Sequence, residues 1–288
     1  MAEKKWWYRE GRALLDEIRG EKSGRGRGEL WFLGQHGFAA ALGGAVCYID
    51  VILTDLKDRE GNTMRAFAPP FGPGEKQRVD YVFCTHNHDD HLNPETLTPL
   101  AAANPEALFI LPRSQYPVLP AAGIDPSRVI GIDAGETITL PGPQGVRVTG
   151  IPAFHHEPIL DGEGRYASMG FVIRGGGVSL YHSGDTWVTP ELIRALKAGA
   201  PIDIALLPIN GADWERTAAG IIGNVSAIEA VKLARALGVD LVIPSHYNMM
   251  PANSENPALF VDYLYRLCPA MRFHVCALGE RFIYEKAE

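Results

Sequence analysis

Val79-Asp80-Tyr81-Val82-Phe83-Cys84-Thr85, running directly into His86-Asn87-His88-Asp89-Asp90-His91, is the stretch that decides how this chain is read. Its first seven residues form a β-branched and aromatic run that reads as a buried strand, and Asn93-Pro94-Glu95 just beyond reads as a helix start. The histidine-rich segment therefore sits on a strand-to-helix loop. His86 and His88 lie two apart and can point the same way from an extended backbone, whereas Asp90 and His91 come after the chain turns and can serve a second ion. Three imidazoles and a carboxylate at this spacing are metal ligands rather than packing material, and the chemistry they imply is metal-dependent hydrolysis.

Three other places carry ligand-type residues at the end of an expected strand. They are His155 or His156 after Val146–Ile151, Asp185 after a hairpin that spans Gly170 to Asp185 and turns at Gly175-Gly176-Gly177, and His246 after Leu241-Val242-Ile243. Strand ends bring residues distant in sequence to one sheet rim. The inventory is then His86, His88 and one of the His155/His156 pair for one ion, and Asp90, His91 and His246 for the other. Asp185 is left to bridge them, because the two oxygens of a carboxylate can bind separate ions. His155 follows the strand directly and is preferred as the ligand, with His156 beside it or facing the substrate.

The elements around these positions alternate in kind. Trp6 to Ile18 reads as an amphipathic helix leading into a Gly/Arg-rich loop, Ser23 to Gly28. Strands are expected at Leu30–Leu33 and Ala45–Leu53, flanking a turn that contains Gly34, His36 and Gly37. From Asp58 to Arg78 punctuation by proline and glycine admits no regular element, and such a loop before the metal motif is a candidate lid. Asn93 should cap a helix to about Ala103. Strands follow at Leu108–Leu111, Val129–Ile132 and Thr137–Leu140, a helix opens at Thr189, and Ile204–Leu207 is a short buried strand. Ser226-Ala227-Ile228-Glu229 is a capping box whose helix Gly238 closes. A last helix spans Pro257 to Leu267, with strands near Phe273 and Phe282. A strand-rich first half and an alternating second half suit an α/β architecture of two face-to-face sheets with helices outside, a four-layer αββα sandwich. Residues 1–29 are expected to be an N-terminal helical extension and loop, and residues 30–288 a single domain.

Composition narrows the function class. The chain has 288 residues, 46% of them hydrophobic and 21% charged, enough to bury a sizeable core. A formal net charge of −7 argues against a nucleic-acid partner, whose backbone is bound through lysine and arginine. The amino terminus lacks the apolar segment of a secretory signal, and no apolar run is long enough for a bilayer. Cys47, Cys84, Cys268 and Cys276 show no C-x-x-C spacing and read as reduced thiols. A cytoplasmic protein acting on a small molecule, away from membranes, is the expectation.

At this point the chain resembles the metallo-β-lactamase superfamily, whose fold is the αββα sandwich with metals at one edge. Within it the likeness is to bacterial L-ascorbate-6-phosphate lactonases and related metal-dependent hydrolases. It rests on Trp31-Phe32-Leu33-Gly34, Thr85-His86-Asn87-His88-Asp89-Asp90-His91, Ser179-Leu180-Tyr181-His182-Ser183-Gly184-Asp185 and Val242-Ile243-Pro244-Ser245-His246. H-x-H-x-D-H is specific for the superfamily, and Leu-Tyr-His-Ser-Gly-Asp points to the lactonase-like branch. Those lactonases are longer and carry aspartate at the position of His155. Histidine there favours zinc or iron, and oxygen ligands favour manganese. The resemblance also implies a homo-oligomer.

Such ions make hydroxide available at neutral pH and polarise the carbonyl or phosphoryl oxygen under attack. The leading expectation is a lactonase or ester hydrolase acting on a small sugar-like, even phosphorylated, substrate, with Asp90 both ligand and proton shuttle. A metal-dependent phosphodiesterase is the alternative enzyme, and a metal-stabilised binding or sensor protein without turnover is the alternative of another class. His182 is expected to orient Asp185. Asp50 either accepts a proton from a ligand histidine or ends a strand as a turn residue, and Tyr247 and Asn248 either face the substrate or pack. Arg65, Lys76 and Arg78 are solvated or hold a phosphate.

Overall fold

A computed structural model describes residues 5–142, 144–155 and 159–287. Fourteen strands form two seven-stranded sheets. The first half of the chain supplies β1 (Arg27–Gly34), β2 (Gly37–Leu42), β3 (Ala45–Ile49), β4 (Tyr81–Phe83), β5 (Leu108–Pro112) and β6 (Val129–Ile132). The second supplies β7 (Thr137–Thr139), β8 (Arg147–Pro152), β9 (Met169–Gly175), β10 (Val178–His182), β11 (Ile204–Pro208), β12 (Leu241–Ser245), β13 (Arg272–Phe273) and β14 (Arg281–Glu285). The orders are β14-β1-β2-β3-β4-β5-β6 and β13-β12-β11-β10-β9-β8-β7. Each sheet is antiparallel in one half and parallel in the other.

The helices are α1 (Gly11–Arg19), α2 (Pro94–Ala103), α3 (Val118–Ala121), α4 (Pro190–Ala198), α5 (Trp214–Ala218), α6 (Ala227–Leu237) and α7 (Pro257–Leu267). Strand alternation sorts the side chains between layers. Leu30 and Phe32 of β1, Phe38 and Ala40 of β2 and Cys47 and Ile49 of β3 meet Phe171, Ile173 and Leu180 of the other sheet in one core. Trp31, Leu33, Ala39, Val46 and Tyr48 face the opposite way, against Leu14, Leu15 and Ile18 of α1 and Leu97 and Leu100 of α2. The far side of the second sheet is covered through Leu192 and Leu196 of α4, Val231 of α6 and Phe260 of α7. This is the αββα sandwich.

Several boundaries differ from the sequence reading. The first helix opens at Gly11, not Trp6, and α3 and α5 were not anticipated. The segment read as a turn between two strands holds a third strand, β2. Gly37-Phe-Ala-Ala-Ala-Leu lacks the β-branched residues that mark strands, and its pairing to β1 and β3 is set by burial on both faces rather than by propensity. The strand from Ala45 stops at Ile49, and the strand placed from Val146 opens at Arg147. From Val51 to Asp80 the chain is irregular apart from an isolated bridge between Lys57 and Thr63, a longer stretch than the Asp58 to Arg78 loop that its prolines and glycines foretold. Asn93 caps α2 by accepting from Thr96 N–H, and the capping box at Ser226 forms with Gly238 closing α6 at φ 65°. At the end of the sandwich away from these loops two glycine turns press together: a Cβ on Gly43 would lie 2.5 Å from the Gly176 nitrogen.

All four cysteines are free. Among the described residues no helix is long and apolar enough to cross a membrane.

The edge strand β14 is fastened to β1 by a buried carboxylate. Glu29 accepts from Arg281 at 2.6 and 3.0 Å and from Arg27 at 3.2 Å. Burial pushes its carboxyl up, yet the two guanidinium groups and the Lys22 N–H outweigh that and hold it below its ordinary value of 4.5. Because the folded value is the lower one, this stabilisation is present above pH 4.5 and is lost as the pH falls through the folded value. Glu29→Gln should cost ~3–5 kcal/mol at pH 7, a difference from the parent that narrows as the pH is lowered through the folded value, measured by urea unfolding. An unchanged midpoint at pH 7 would show that the pair contributes nothing.

Candidate metal centre

Strands from both sheets end at one rim, and each delivers a polar side chain. The loop after β4 carries His86, His88, Asp90 and His91; β8 leads to His155, β10 to Asp185 and β12 to His246. The ligand atoms of His86, His88 and His155 lie within 4.8 Å of one another, as do those of Asp90, His91 and His246. A third group, His86, His91 and Asp185, joins the two. Asp185 is the hinge between them. Its Oδ1 lies 3.2 Å from His91 Nε2 and 3.3 Å from His246 Nε2, while its Oδ2 lies 3.9 Å from His155 Nε2. One carboxylate oxygen faces each cluster. His156 lies outside the described residues.

These groups are gathered but not satisfied. His91 Nε2, His155 Nδ1 and Asp185 Oδ1 are buried without hydrogen-bond partners, and in the first cluster His86 Nε2 and His88 Nδ1 lie 2.9 Å apart, within reach of one ring N–H bonding the other ring. Buried polar atoms are normally paired. A cluster of lone pairs converging on one space fits divalent cations, and the mixture of five imidazoles and two carboxylates suits borderline metals.

The ligands are held from behind. Asp50, at the end of β3, accepts from Thr85 N–H at 2.9 Å and the Thr85 hydroxyl at 2.7 Å, and its Oδ2 lies 2.7 Å from His91 Nδ1. A proton on Nδ1 leaves the Nε2 lone pair of His91 free to face an ion. Of the two readings of Asp50, the structure gives the partner of a ligand histidine. His182 supports Asp185 from the backbone. It accepts the Gly184 N–H at 3.2 Å and donates to the His36 carbonyl at 2.8 Å, fixing the backbone just before Asp185.

Two residues the sequence reading passed over complete this support. His36, read from sequence only as part of a turn, lies against His182 with ring centroids 3.9 Å apart and joins the Ser245 hydroxyl, at 2.7 Å, to the Gly184 carbonyl, at 3.2 Å. It thus ties the residues preceding His246 and Asp185 to each other. Gln35 donates to Asp90 Oδ2 at 2.9 Å and lies 3.2 Å from His246 Nε2. The signal was Gly34-Gln35-His36-Gly37, polar residues between glycines at a strand end. Gly184 itself has φ 57°, and a Cβ there would come within 2.7 Å of Thr85 Cβ. Only glycine fits.

Tyr247 and Asn248 do not line the cavity. Tyr247 is buried and stacks on Phe32, and the Asn248 side-chain oxygen accepts the Gln35 N–H at 3.1 Å. Two of the lid cations are spoken for as well. Arg65 is buried and donates to the carbonyls of Ile52, Thr54 and Phe67, and Arg78 pairs with Glu21 and donates to the Gly44 carbonyl.

Electrostatics divide the centre. Burial holds His86 and His155 below the ordinary histidine value, so both are neutral and ready to bind. Burial also pulls His246 down, but Asp185 and Asp90 outweigh it and raise the imidazole to about 9; His91 is raised in the same way by Asp185, Asp90 and Asp50. Asp185 and Asp90 are correspondingly held as carboxylates by the two histidines, against burial.

The "Beta-lactamase superfamily domain" family matches residues 50–247 of the chain. A protein of Thermococcus onnurineus named UPF0173 metal-dependent hydrolase is 30% identical over 80% of this chain and 88% of its own length. One of the same name from Methanoculleus marisnigri is 36% identical over 62% of this chain and 70% of its own. Among solved structures, Igni18, a metallo hydrolase from Ignicoccus hospitalis, superposes with a TM-score of 0.68 at 22% identity, covering 91% of this chain and all of that one. CmlA, a diiron β-hydroxylase from Streptomyces venezuelae, gives 0.65 at 17% identity over 92% of this chain and 55% of its own. At these identities both structures speak for the fold alone. None of these four matches bears the ascorbate-6-phosphate lactonase name.

Two outcomes follow from the geometry. A cation entering between Asp90, His91 and His246 must displace protons that the metal-free protein retains to about pH 9 at His246, so Mn²⁺ affinity should rise with pH between 6.5 and 9. Calorimetry in buffers of different ionisation enthalpy should register proton release, and a pH-independent affinity without release would contradict the charge assignment. Asp50→Asn should weaken metal binding by about 10- to 100-fold, read from competition with a chromophoric chelator. Undiminished binding would leave Asp50 a turn residue.

Proposed function

The chain belongs to the metallo-β-lactamase superfamily, among its metal-dependent hydrolases, and we propose that it hydrolyses a carboxylic ester or lactone of a small molecule. The observation that carries this reading is the pair of ligand clusters joined through Asp185 and open to a cavity of about 240 Å³, whose wall includes His88, Asp90, His155, Asp185 and His246. Ligand-type residues facing an open cavity are arranged for turnover, whereas a purely structural site is closed. Zinc or manganese is the proposed metal, with iron the third candidate, held by His86, His88 and His155 on one side, Asp90, His91 and His246 on the other, and Asp185 between.

Divalent ions bound there would lower the pKa of a water and polarise the carbonyl oxygen under attack. The protein's own part is proton handling and placement. Asp90 is ionised, lines the cavity and is fixed by the Gln35 amide, so it can take the proton of the attacking water. The hydroxyl adds to the carbonyl carbon, the bond to the leaving oxygen breaks, and the proton held at Asp90 passes to that alkoxide. His36, His182 and Asp50 keep the ligands in register without reaching the substrate.

Metal-loaded protein should hydrolyse γ-butyrolactone and p-nitrophenyl acetate. Asp90→Asn should lower kcat by about 10²- to 10⁴-fold. Asp185→Asn should lose bound metal, measured by elemental analysis, together with turnover. Fully metallated protein that cleaves bis(p-nitrophenyl) phosphate but no ester or lactone would replace this reading with a phosphodiesterase.

A further inference from the structure

The cavity over the metal centre continues into a second one of about 420 Å³, and the two share His155, Gly220, Ile221 and Ile222. The second is a groove with Ile159 and Trp187 on its wall. Its surface is unusual for exposed protein: Ile159 is 59% exposed, Ile222 40% and Trp187 38%, and Met64 at the neighbouring rim is 43% exposed. Large apolar side chains gathered at one opening mark a binding surface, whereas scattered ones need no explanation.

No lysine or arginine lines either cavity among the described residues. The indole N–H of Trp187 is committed to the Gly223 carbonyl at 2.8 Å, so among the described residues, away from His155, the side-chain polar group left in the groove is the Thr217 hydroxyl. The opposite flank of the metal centre is acidic, with Asp55, Asp89 and Glu95 there and the single Lys57 paired to Asp55 at 3.1 Å. Arg65, nearest in sequence to the rim residue Met64, is turned to backbone carbonyls. A phosphate or carboxylate tail would find repulsion on one side and apolar desolvation on the other.

The groove is built rather than incidental. The side of it formed by Ala212, Thr217 and Gly220 to Gly223 belongs to the segment between β11 and α6, which closes on itself through a bridge from Asn210 to Ser226 and through Gly211 and Asn224 bonding each other's neighbourhood: Gly211 N–H to Val225 O and Asn224 N–H to Gly211 O. Arg216 pins it from within, donating to the Asn210 carbonyl at 2.9 Å and the Asn253 side chain at 3.0 Å. Ile221 N–H is fixed on Arg216 O at 2.9 Å. A preformed apolar wall beside the reacting centre can spend its binding energy on orientation.

We propose that the substrate's non-reacting part is an uncharged apolar group, an alkyl or aryl chain, seated between Trp187 and Ile222 with its ester or lactone carbonyl at the metal centre. This rests on the hydrolase reading of that centre, and it departs from a phosphorylated sugar. The test uses methyl butanoate, methyl octanoate and monomethyl octanedioate with manganese-loaded protein, following acid release, together with calorimetric binding of octanamide, which carries no ester.

Octanoate should exceed butanoate in kcat/KM by about 10- to 100-fold, and the terminal carboxylate of the octanedioate should abolish that gain. Octanamide should bind the wild type, and Ile222→Lys and Ile159→Lys, both at exposed positions that the fold tolerates, should lose both octanamide binding and the gain with chain length. Equal turnover of butanoate and octanoate with no octanamide binding would overturn the groove and leave the hydrolase standing. Octanamide binding that Ile222→Lys abolishes, without turnover of any ester, would keep the groove and retire the ester reading. Octanedioate preferred over octanoate would overturn the proposal outright.

Discussion

The carboxylate of Asp50 is the interaction on which the rim depends. It joins the end of β3 to the loop after β4 through Thr85 and, in the same group, holds the ring of His91. A metal loop with several donors in a row has no reason of its own to adopt one conformation, since each imidazole prefers water. Tying its first residue and its last ligand to one buried acceptor removes that freedom before any ion arrives. The charge pattern follows: carboxylates gathered to hold the loop also raise His91 and His246, while His86 and His155 lie farther from them and stay neutral under burial.

Convergence carries a conformational cost, and it is concentrated here. Among the described residues the non-glycine residues with positive φ are Gln35, Asp50 and His246, at 55°, 46° and 57°. All three stand at the turn where a strand ends and the chain must aim a side chain at the same point. The left-handed conformation is unfavourable for such residues and persists only where surroundings fix it. Here Gln35 and His246 fix each other, with the His246 N–H on the Gln35 carbonyl, and Asp50 is fixed by its N–H on the Phe83 carbonyl. The core, by contrast, uses ordinary alternation on both faces of the first sheet, so the strain sits where chemistry needs it.

The walls around the centre are unequal in kind. One flank is acidic, the other apolar, and the arginine nearest the opening braces the irregular loop from inside. A fold shared with a diiron hydroxylase does not choose a substrate, because function lies in the site and not in the sandwich. The Val51–Asp80 loop and the closed segment before α6, which supply much of the lining of these cavities, differ from the core in having no periodic pattern.

The sequence by itself determined where the ligand-type residues lie along the chain, and it determined the layers. His86, His88, Asp90 and His91 share one loop, so their grouping is local, and Asp185 and His246 each follow a buried strand whose pattern is legible. The capping box at Ser226 and the cap at Asn93 are equally local, fixed by spacing over three residues. Only the tertiary structure decided that Gly37–Leu42 is a strand, because alanine carries no β preference and burial between two neighbours supplies it. Only the tertiary structure turned His182 to the Gly184 backbone, Asn248 to Gln35 and Arg65 to carbonyls, and made His36 and Gln35 part of the centre. Ligand type is written in a residue and its immediate spacing, whereas the direction of a side chain depends on partners that local spacing does not name, as when Asn248 meets Gln35 and His36 meets Ser245 across more than two hundred residues.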